Sequence, residues 1–215
     1  VDSPFIASAS IHHHLFNTKG IQFHVWMQGL CNPDWNRIET DFLKYTNLQI
    51  EVFGEFPVDV YHYLFQILPH KGYHGVEHQN STTVSIGPGK DLMTKKLYDE
   101  VLGVSSHELF HTWNVKAIRP IEMQPYNYAK ENHSPLGYVA EGVTTYYGDL
   151  MLYRSGVFNE VEFLKLFSQQ IQKHLDNQAR FNYSVAESSW DTWLDGYVSG
   201  VPSRKLSIYS DGCLL

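Results

Sequence analysis

The chain reads Val101-Leu102-Gly103-Val104-Ser105-Ser106-His107-Glu108-Leu109-Phe110-His111-Thr112-Trp113 across the stretch that decides its fold. In a helix, His107 and His111 are four positions apart and therefore share one face, one turn above each other. Two imidazoles so placed can bind one zinc ion, and Glu108 then lies close enough to polarise a water on that metal. The motif predicts a reaction class, hydrolysis at a metal ion.

The surroundings of the motif favour a metal site over a chance pairing among the twelve histidines of the chain. The flanking residues are apolar and suit a buried helix. Glu141 lies in a second predicted helix and offers a carboxylate. Two histidines and one glutamate leave a fourth position open for water, which is typical of a catalytic site that binds one Zn²⁺ per chain. The two cysteines, Cys31 and Cys213, are far apart in sequence and argue against a structural thiolate site.

Composition limits the classes of protein and partner. At 215 residues with 43% apolar content, the chain can bury one substantial core as a soluble globular protein. A formal net charge of −7 without a basic run argues against a nucleic-acid partner. No stretch has the roughly eighteen consecutive apolar residues of a membrane span. No signal-peptide pattern is visible, so cytoplasmic, periplasmic and secreted locations stay open, as does the oligomeric state.

The two ends of the sequence indicate a piece of a longer protein. The chain opens at Val1 without a methionine and stops on an apolar run at residues 211–215 without a cap. We expect residues 1–215 to form a single catalytic-domain fragment. Residues 1–90 are expected to be rich in strands with one helix, and residues 91–215 to be helical and to carry the zinc site.

Periodicity and turn signals predict the secondary structure coarsely. Two strands at 5–16 and 21–28 are joined by Asn17-Thr18-Lys19-Gly20, and a helix runs from Asn32-Pro33-Asp34 to about residue 53. Residues 61–68 are predicted as a strand, and residues 69–91 as loop and strand edge. Helices are predicted at 92–115, 136–155, 159–177 and 184–194. Since strands precede helices, the predicted fold class is α+β.

Two residues outside the motif are candidates for substrate chemistry. Glu77 lies in the glycine-containing segment that begins at Gly75, where a carboxylate could bind an ammonium group while neighbouring backbone groups pair with an extended peptide. A lone glutamate in a loop is more often simply solvated. Tyr209 could donate its phenol hydrogen to the oxyanion formed during peptide hydrolysis. The chain has fourteen tyrosines, and nothing in the local sequence distinguishes Tyr209 from the rest.

A ligating histidine usually passes its second ring N–H to a carbonyl or carboxylate. Four residues near the motif and near Glu141 could help to fix the ligands in this way: Asn114, Arg119, Thr144 and Thr145. The sequence does not choose among them.

With these residues identified, the chain resembles the glycyl aminopeptidase family of zinc peptidases. Residues 107–120, HELFHTWNVKAIRP, resemble the family signature, and residues 141–147, EGVTTYY, are similar to its third-ligand helix. Residues 75–82 resemble its exopeptidase segment, related to the Gly-x-Met-Glu-Asn element of aminopeptidase N-type enzymes. Residues 208–212 resemble a Tyr-x-Lys-Gly element whose tyrosine supports the oxyanion. The resemblance runs over essentially the whole chain.

The resemblance implies a role for each of these residues. It makes His107, His111 and Glu141 zinc ligands and Glu108 the general base. It makes Glu77 the anchor for the free amino group of the substrate, with Gly75 in the same peptide-binding segment, and Tyr209 the oxyanion donor.

The resemblance also implies a thermolysin-like zincin core, preceded by a β-rich domain and followed by helices and often a PDZ domain, all outside this chain. One departure is Asp211, where the relatives carry lysine. It weakens the Tyr209 assignment relative to the metal site. The roughly thirty-residue gap between His111 and Glu141 is expected in the glycyl family and is longer than in aminopeptidase N-type enzymes.

The expected function is a zinc-dependent aminopeptidase that removes Gly- or Ala-type N-terminal residues from peptides with a free N-terminus. Two alternatives stay open. One is a thermolysin-like endopeptidase, which activity on N-blocked peptides would favour. The other is a peptide-binding zincin scaffold without turnover, although scaffolds of that kind usually lose the base or a ligand.

Overall fold

The computed structural model describes residues 4–195 and 200–215. Its one sheet has five strands: β1 Ile11–Thr18, β2 Ile21–Gln28, β3 Val60–Ile67, β4 Gly72–Glu77 and β5 Ser81–Gly87. The strand order is β1-β2-β3-β5-β4. The three central strands are parallel, whereas β1 and β4 pair antiparallel at the two edges. The strand nearest the motif in sequence, β5, is therefore covered on its outer side by β4.

The α-helices of the described residues are α1 Trp35–Phe53, α2 Lys95–Phe110, α3 Thr144–Arg154, α4 Glu160–Asp176, α5 Val185–Trp190 and α6 Thr192–Asp195. Their ends are set by local chemistry. The Asp34 side chain accepts a hydrogen bond from the Arg37 N–H at the start of α1, which ends at Gly54 with φ of 84°. Among the described residues, no helix is long and apolar enough to cross a membrane.

The core lies between the sheet and the first two helices. It is built from aromatic and branched side chains that are fully buried; among them are Phe23, Phe42, Tyr45, Tyr63, Phe65, Ile86, Tyr98 and Val101. Burial of each such side chain contributes about 1.5–3 kcal/mol of hydrophobic free energy. α2 is fixed in this way beneath the sheet, close to β4 and β5 and beside α3.

The structure confirms the predicted α+β class, with strands before helices. The predicted strand at 21–28 and the helix ending near residue 53 are confirmed, and α4 matches its predicted range within a residue. The first strand begins at Ile11 rather than at residue 5. The predicted division at residue 90 and the flanking domains stay predictions.

The structure corrects three predicted elements. Residues 69–91, predicted as loop and strand edge, contain β4 and β5. The glycine- and histidine-rich sequence of β4 has little intrinsic preference for a strand, and its hydrogen bonds to β5 stabilise it as one. The motif helix ends at Phe110 rather than at about residue 115. The predicted helix at 136–155 is a π-helical turn, Val139–Val143, followed by α3, and the one at 184–194 is divided between α5 and α6.

Candidate active site

Three side chains converge at the end of α2. The Nε2 atoms of His107 and His111 lie 3.1 Å apart, and Glu141 Oε2 lies 3.3 Å from each of them. His111 is the first residue after α2, but its backbone is still helical and its N–H bonds to the His107 carbonyl at 3.3 Å. The four-residue spacing therefore places both rings on one side although the helix ends between them.

The orientation of the His111 ring is fixed by the chain that follows it. His111 Nδ1 lies 2.7 Å from the carbonyl oxygen of Asn114, so Nδ1–H donates there and Nε2 is the ring nitrogen that faces Glu141. The Asn114 side chain donates to the carbonyls of Val139 at 2.9 Å and Ala140 at 3.3 Å. Asn114 thus connects the loop after the motif to the turn that carries Glu141.

Glu141 lies in the π-helical turn, a geometry that is often found at functional sites. The Thr144 hydroxyl donates to the Ala140 carbonyl at 2.6 Å and accepts from Asn114 Nδ2 at 3.1 Å. Glu141 Oε2 is buried and has no hydrogen-bond partner among the described residues. A buried carboxylate oxygen between two imidazole nitrogens has the donor chemistry of a catalytic zinc site.

Charge couples these three groups. Burial favours the neutral form of Glu141, but the two histidines outweigh it and hold the pKa of its carboxyl well below the usual range. Burial likewise opposes charge on His111, yet the neighbouring Glu141 raises the pKa of His111 to about 9. For His107 burial prevails, and the pKa is lowered. The pocket therefore holds a carboxylate that is stabilised by positive charge.

Glu108 lies beside this triad, with its carboxyl against Gly75 of β4 and within 4.8 Å of a ring nitrogen of His111. Its side chain is buried, and its Oε2 has no hydrogen-bond partner among the described residues. Burial raises the pKa of Glu108 to about 8, with the charges of Glu77 and Glu141 adding to the effect and His111 opposing it. A carboxyl whose pKa is near neutrality can take up and release a proton under working conditions.

Strand β4 brings Glu77 to the same place. Glu77, Glu108 and His111 each have a ligand-type atom within 4.8 Å of the others. Lys116 Nζ lies 4.0 Å from Glu77 Oε1. A Cβ on Gly75 would lie 2.8 Å from both Glu108 Cδ and Val104 Cγ2, so a larger residue there would force β4 or these side chains to move.

Tyr209 lies next to His107. Its ring centroid is 6.3 Å from that of His107, with 28° between the ring planes. The structure therefore brings all seven predicted site residues into one region, although their roles stay predictions.

The sequence left the roles of some neighbouring residues undecided and did not predict others. Of the four candidates near the ligands, Asn114 and Thr144 make the connecting bonds described above, whereas Arg119 donates to the Lys116 carbonyl at 3.0 Å. The approach of Lys116 to Glu77 and an ion pair between His174 and Asp211 were not predicted. The sequence did offer one signal for the His174–Asp211 pair, because Asp211 stands where the Tyr-x-Lys-Gly element has lysine.

Comparison with solved structures gives the same fold. An aminopeptidase N family protein from Idiomarina loihiensis is 27% identical with a TM-score of 0.85; the match covers 95% of this chain and 36% of that one. An M1 zinc metallopeptidase from Deinococcus radiodurans, in a mutant form bound to a Tyr-Ser-Ala substrate, is 14% identical with a TM-score of 0.59, at 95% and 39% coverage. The chain thus spans well under half the length of these structures.

Comparison with curated proteins gives no match. Comparison with protein families gives one: residues 100–215 match the M61 glycyl aminopeptidase family. This region includes the His107–His111 motif, Glu141 and Tyr209, and it makes up more than half of the 215 residues. The chain belongs to the M61 glycyl aminopeptidase family of peptidases.

Proposed function

We propose that this chain is the catalytic part of a zinc-dependent aminopeptidase that hydrolyses the first peptide bond of substrates with a free N-terminus. The observation that carries the proposal is the convergence of two imidazoles and a carboxylate beside a buried second carboxylate, Glu108, whose pKa is raised to about 8. The Gly- or Ala-type preference is part of the proposal and rests on the family alone.

The residues present fit one Zn²⁺. His107, His111 and Glu141 would hold it, since their donor set of two nitrogens and one oxygen leaves a position open, as in catalytic zinc sites. The fixed ring orientation of His111 and the unbonded Oε2 of Glu141 support this assignment. Bound Zn²⁺ supplies Lewis acidity, which lowers the pKa of water and polarises a carbonyl oxygen.

Glu108 moves the proton in this proposal. Its carboxylate accepts a proton from the attacking water and returns it to the nitrogen of the leaving amine. Burial supports this role because a carboxylate in a poorly solvated site is a stronger base than one in water. The raised pKa of about 8 is the observable sign of that environment.

Tyr209 and Glu77 bind two groups of the first substrate residue, its carbonyl oxygen and its amino group. The Tyr209 phenol donates a hydrogen bond to the carbonyl oxygen as negative charge develops on it. Glu77 accepts the N-terminal ammonium group, which limits the substrate to one residue before the scissile bond. β4 is an edge strand, so an extended peptide can add to it through backbone hydrogen bonds.

The experiment that tests the proposal compares Glu108→Gln with Glu160→Gln, an exposed glutamate at the start of α4. Loss of the base should lower kcat on alanine 4-nitroanilide by about 10²- to 10⁴-fold while one equivalent of zinc stays bound. The control should keep wild-type kcat. Full turnover in Glu108→Gln would remove the base assignment, and purified wild-type protein that binds no zinc would remove the core of the proposal.

One observation favours an endopeptidase as the second candidate. Lys116 Nζ lies 4.0 Å from Glu77, so the proposed ammonium site already has a cationic neighbour. Glu77→Gln distinguishes the two functions. For an aminopeptidase, KM should rise for peptides with a free amine, and N-acetylated peptides should be poor substrates of wild type and variant alike. Equal effects on both substrates, with N-acetylated peptides cleaved efficiently, would favour the endopeptidase.

A further inference from the structure

Two residues after Tyr209 is the buried acid Asp211, and both of its carboxylate oxygens have hydrogen-bond or ion-pair partners. Asp211 Oδ1 pairs with His174 Nδ1 of α4 at 2.6 Å, and Asp211 Oδ2 accepts the Ser207 N–H at 2.7 Å. The Asp211 side chain is 5% exposed, whereas His174 is 36% exposed. A buried carboxylate with both oxygens satisfied in this way fixes the segments that supply its donors.

The segment fixed by Asp211 is the turn that carries Tyr209. The Ser207 carbonyl accepts the Asp211 N–H at 3.0 Å and the Gly212 N–H at 3.3 Å, while the Ser207 hydroxyl accepts the Ser210 N–H at 3.1 Å. The turn is therefore closed at both ends around Tyr209. Through the Asp211 side chain, the turn is linked to His174 on α4.

The turn is also held against the turn of Glu141. A Cβ on Gly142 would lie 2.7 Å from the Gly212 carbonyl oxygen, and a Cβ on Gly212 would lie 3.0 Å from both Gly142 Cα and the Tyr138 carbonyl oxygen. The two backbones are thus in direct contact, without side chains between them. This contact sets the distance from the Tyr209 turn to the metal-binding groups, and the His174–Asp211 pair sets the shape of the turn.

We propose that the His174–Asp211 ion pair is a positioning element that holds the Tyr209 phenol beside His107. The proposal rests on the role given to Tyr209 in the proposed function. His174 acts through Tyr209, since neither member of the pair belongs to the two groups of candidate metal-binding side chains among the described residues. A displacement of about 1 Å in a catalytic group can cost up to 10²-fold in rate, so the pair matters to turnover.

The test uses the zinc-loaded chain and the half-exposed partner, because truncation of buried Asp211 risks unfolding. His174→Ala should lower kcat by about tenfold to 10²-fold, with KM changed less than about twofold and zinc retained. His174→Gln keeps an N–H donor for Asp211 and should recover most of that loss. The matched control is Gln172→Ala on the same helix, which removes only an intrahelical bond to Asp176 at 2.8 Å.

The decisive comparison is made in a Tyr209→Phe background. If the pair acts through the phenol, His174→Ala should have no further effect once the phenol is gone. An equal fold-loss of kcat in both backgrounds would overturn the proposal, as would unchanged kcat in His174→Ala with wild-type Tyr209.

A second readout does not depend on turnover. With 3-fluorotyrosine in place of Tyr209, addition of one equivalent of Zn²⁺ should shift the fluorine resonance in wild type and in His174→Gln, and much less in His174→Ala. The same shift in all three proteins would overturn the positioning role. If the wild-type chain proves to have no peptidase activity, the proposed function fails on that result, and the fluorine measurement still decides the positioning role.

Discussion

Histidines cluster in two regions of the molecule, and the clusters differ in what surrounds their rings. At the end of α2, His111 has one ring nitrogen fixed by a backbone carbonyl and a carboxylate oxygen facing the other. On the open face of the sheet, His13, His24 and His62 lie on three neighbouring strands, where His13 stacks on Trp26 with 3.7 Å between ring centroids. In the first cluster His111 is buried and His107 is half-buried, whereas His13 is exposed.

The difference shows what turns neighbouring histidines into a candidate metal site. The sheet cluster has a close contact as well, since His13 Nε2 lies 2.9 Å from His24 Nδ1. Yet among residues 4–195 and 200–215, three or more donor groups with ligand atoms within 4.8 Å of one another occur only around His111. Convergence with a carboxylate, rather than the number of histidines, separates the two regions.

The largest expected difference between the clusters is in metal content. His111→Ala removes one of three proposed ligands and should leave the purified protein without stoichiometric zinc. His24→Ala should leave one equivalent bound. Atomic emission after gel filtration measures both, with folding checked by circular dichroism. Zinc lost from His24→Ala and retained in His111→Ala would move the metal site to the sheet.

A smaller effect is expected where only the support of the first cluster is changed. Asn114→Ala keeps the backbone carbonyl that accepts the His111 Nδ1–H but loses the side-chain bonds to the Glu141 turn. Zinc affinity should fall by about 10- to 100-fold, as for other groups that orient metal ligands. Competition with a chromophoric chelator measures it. Asn36→Ala, exposed on α1, serves as the control, and equal affinities in the two variants would contradict the prediction.

Packing around the first cluster can be tested with two glycines. Gly75→Ala places a Cβ against Glu108 and Val104 and should destabilise the protein by about 1–3 kcal/mol. A Cβ on Gly103, in the interior of α2, meets nothing within 4 Å, so Gly103→Ala should stabilise by up to about 1 kcal/mol. Urea unfolding gives both values. If the unfolding midpoints of both variants rise, β4 can shift to accommodate a Cβ at position 75, and the prediction is wrong.

The sheet cluster should show the smallest effect, and in a different variable. Burial, followed by the charges of His24 and His13, lowers the pKa of His62 from its usual value of 6.5. Between that lowered pKa and 6.5 the unfolded chain binds more protons, so stability falls as the pH falls through this window.

His62→Gln should make that acid-side loss shallower, by on the order of a few tenths of a kcal/mol because the ring is partly exposed and screened. Thermal unfolding between pH 7 and pH 5 measures it. His12→Gln is the control, because its register partner Met27 is buried on the other face of the sheet. A steeper acid loss in His62→Gln would contradict the assignment.

Local signals explain which parts of the fold were predictable. The helix α1 was found closely because Asp34 caps its start and its apolar stripe has helical spacing. β4 was missed because glycines and histidines have no strand preference, and the strand exists through its pairing with β5. The end of α2 was placed too late because the chain turns after Phe110, where His111 takes the Asn114 carbonyl as a partner.

The candidate site also has parts that local sequence predicts and parts that it does not. His107, Glu108 and His111 lie within five consecutive residues, so their spacing alone predicts a common site. Glu77 and Tyr209 needed the family resemblance, since a single acid or phenol carries no local signal. The His174–Asp211 pair joins residues 37 positions apart, and such a pair becomes visible only when the fold brings α4 against the Tyr209 turn.

β4 lies at the edge of the sheet, with Gly75 directly over Glu108, so the proposed function has a consequence for the conformation of the substrate. Under the proposed function, a polypeptide must be extended over its first few residues to pair with β4. A terminus folded into a helix or a tight turn has already used the backbone groups that this pairing requires. Native proteins with ordered N-termini are then spared, and unfolded termini and peptide fragments released by other proteases become the natural substrates.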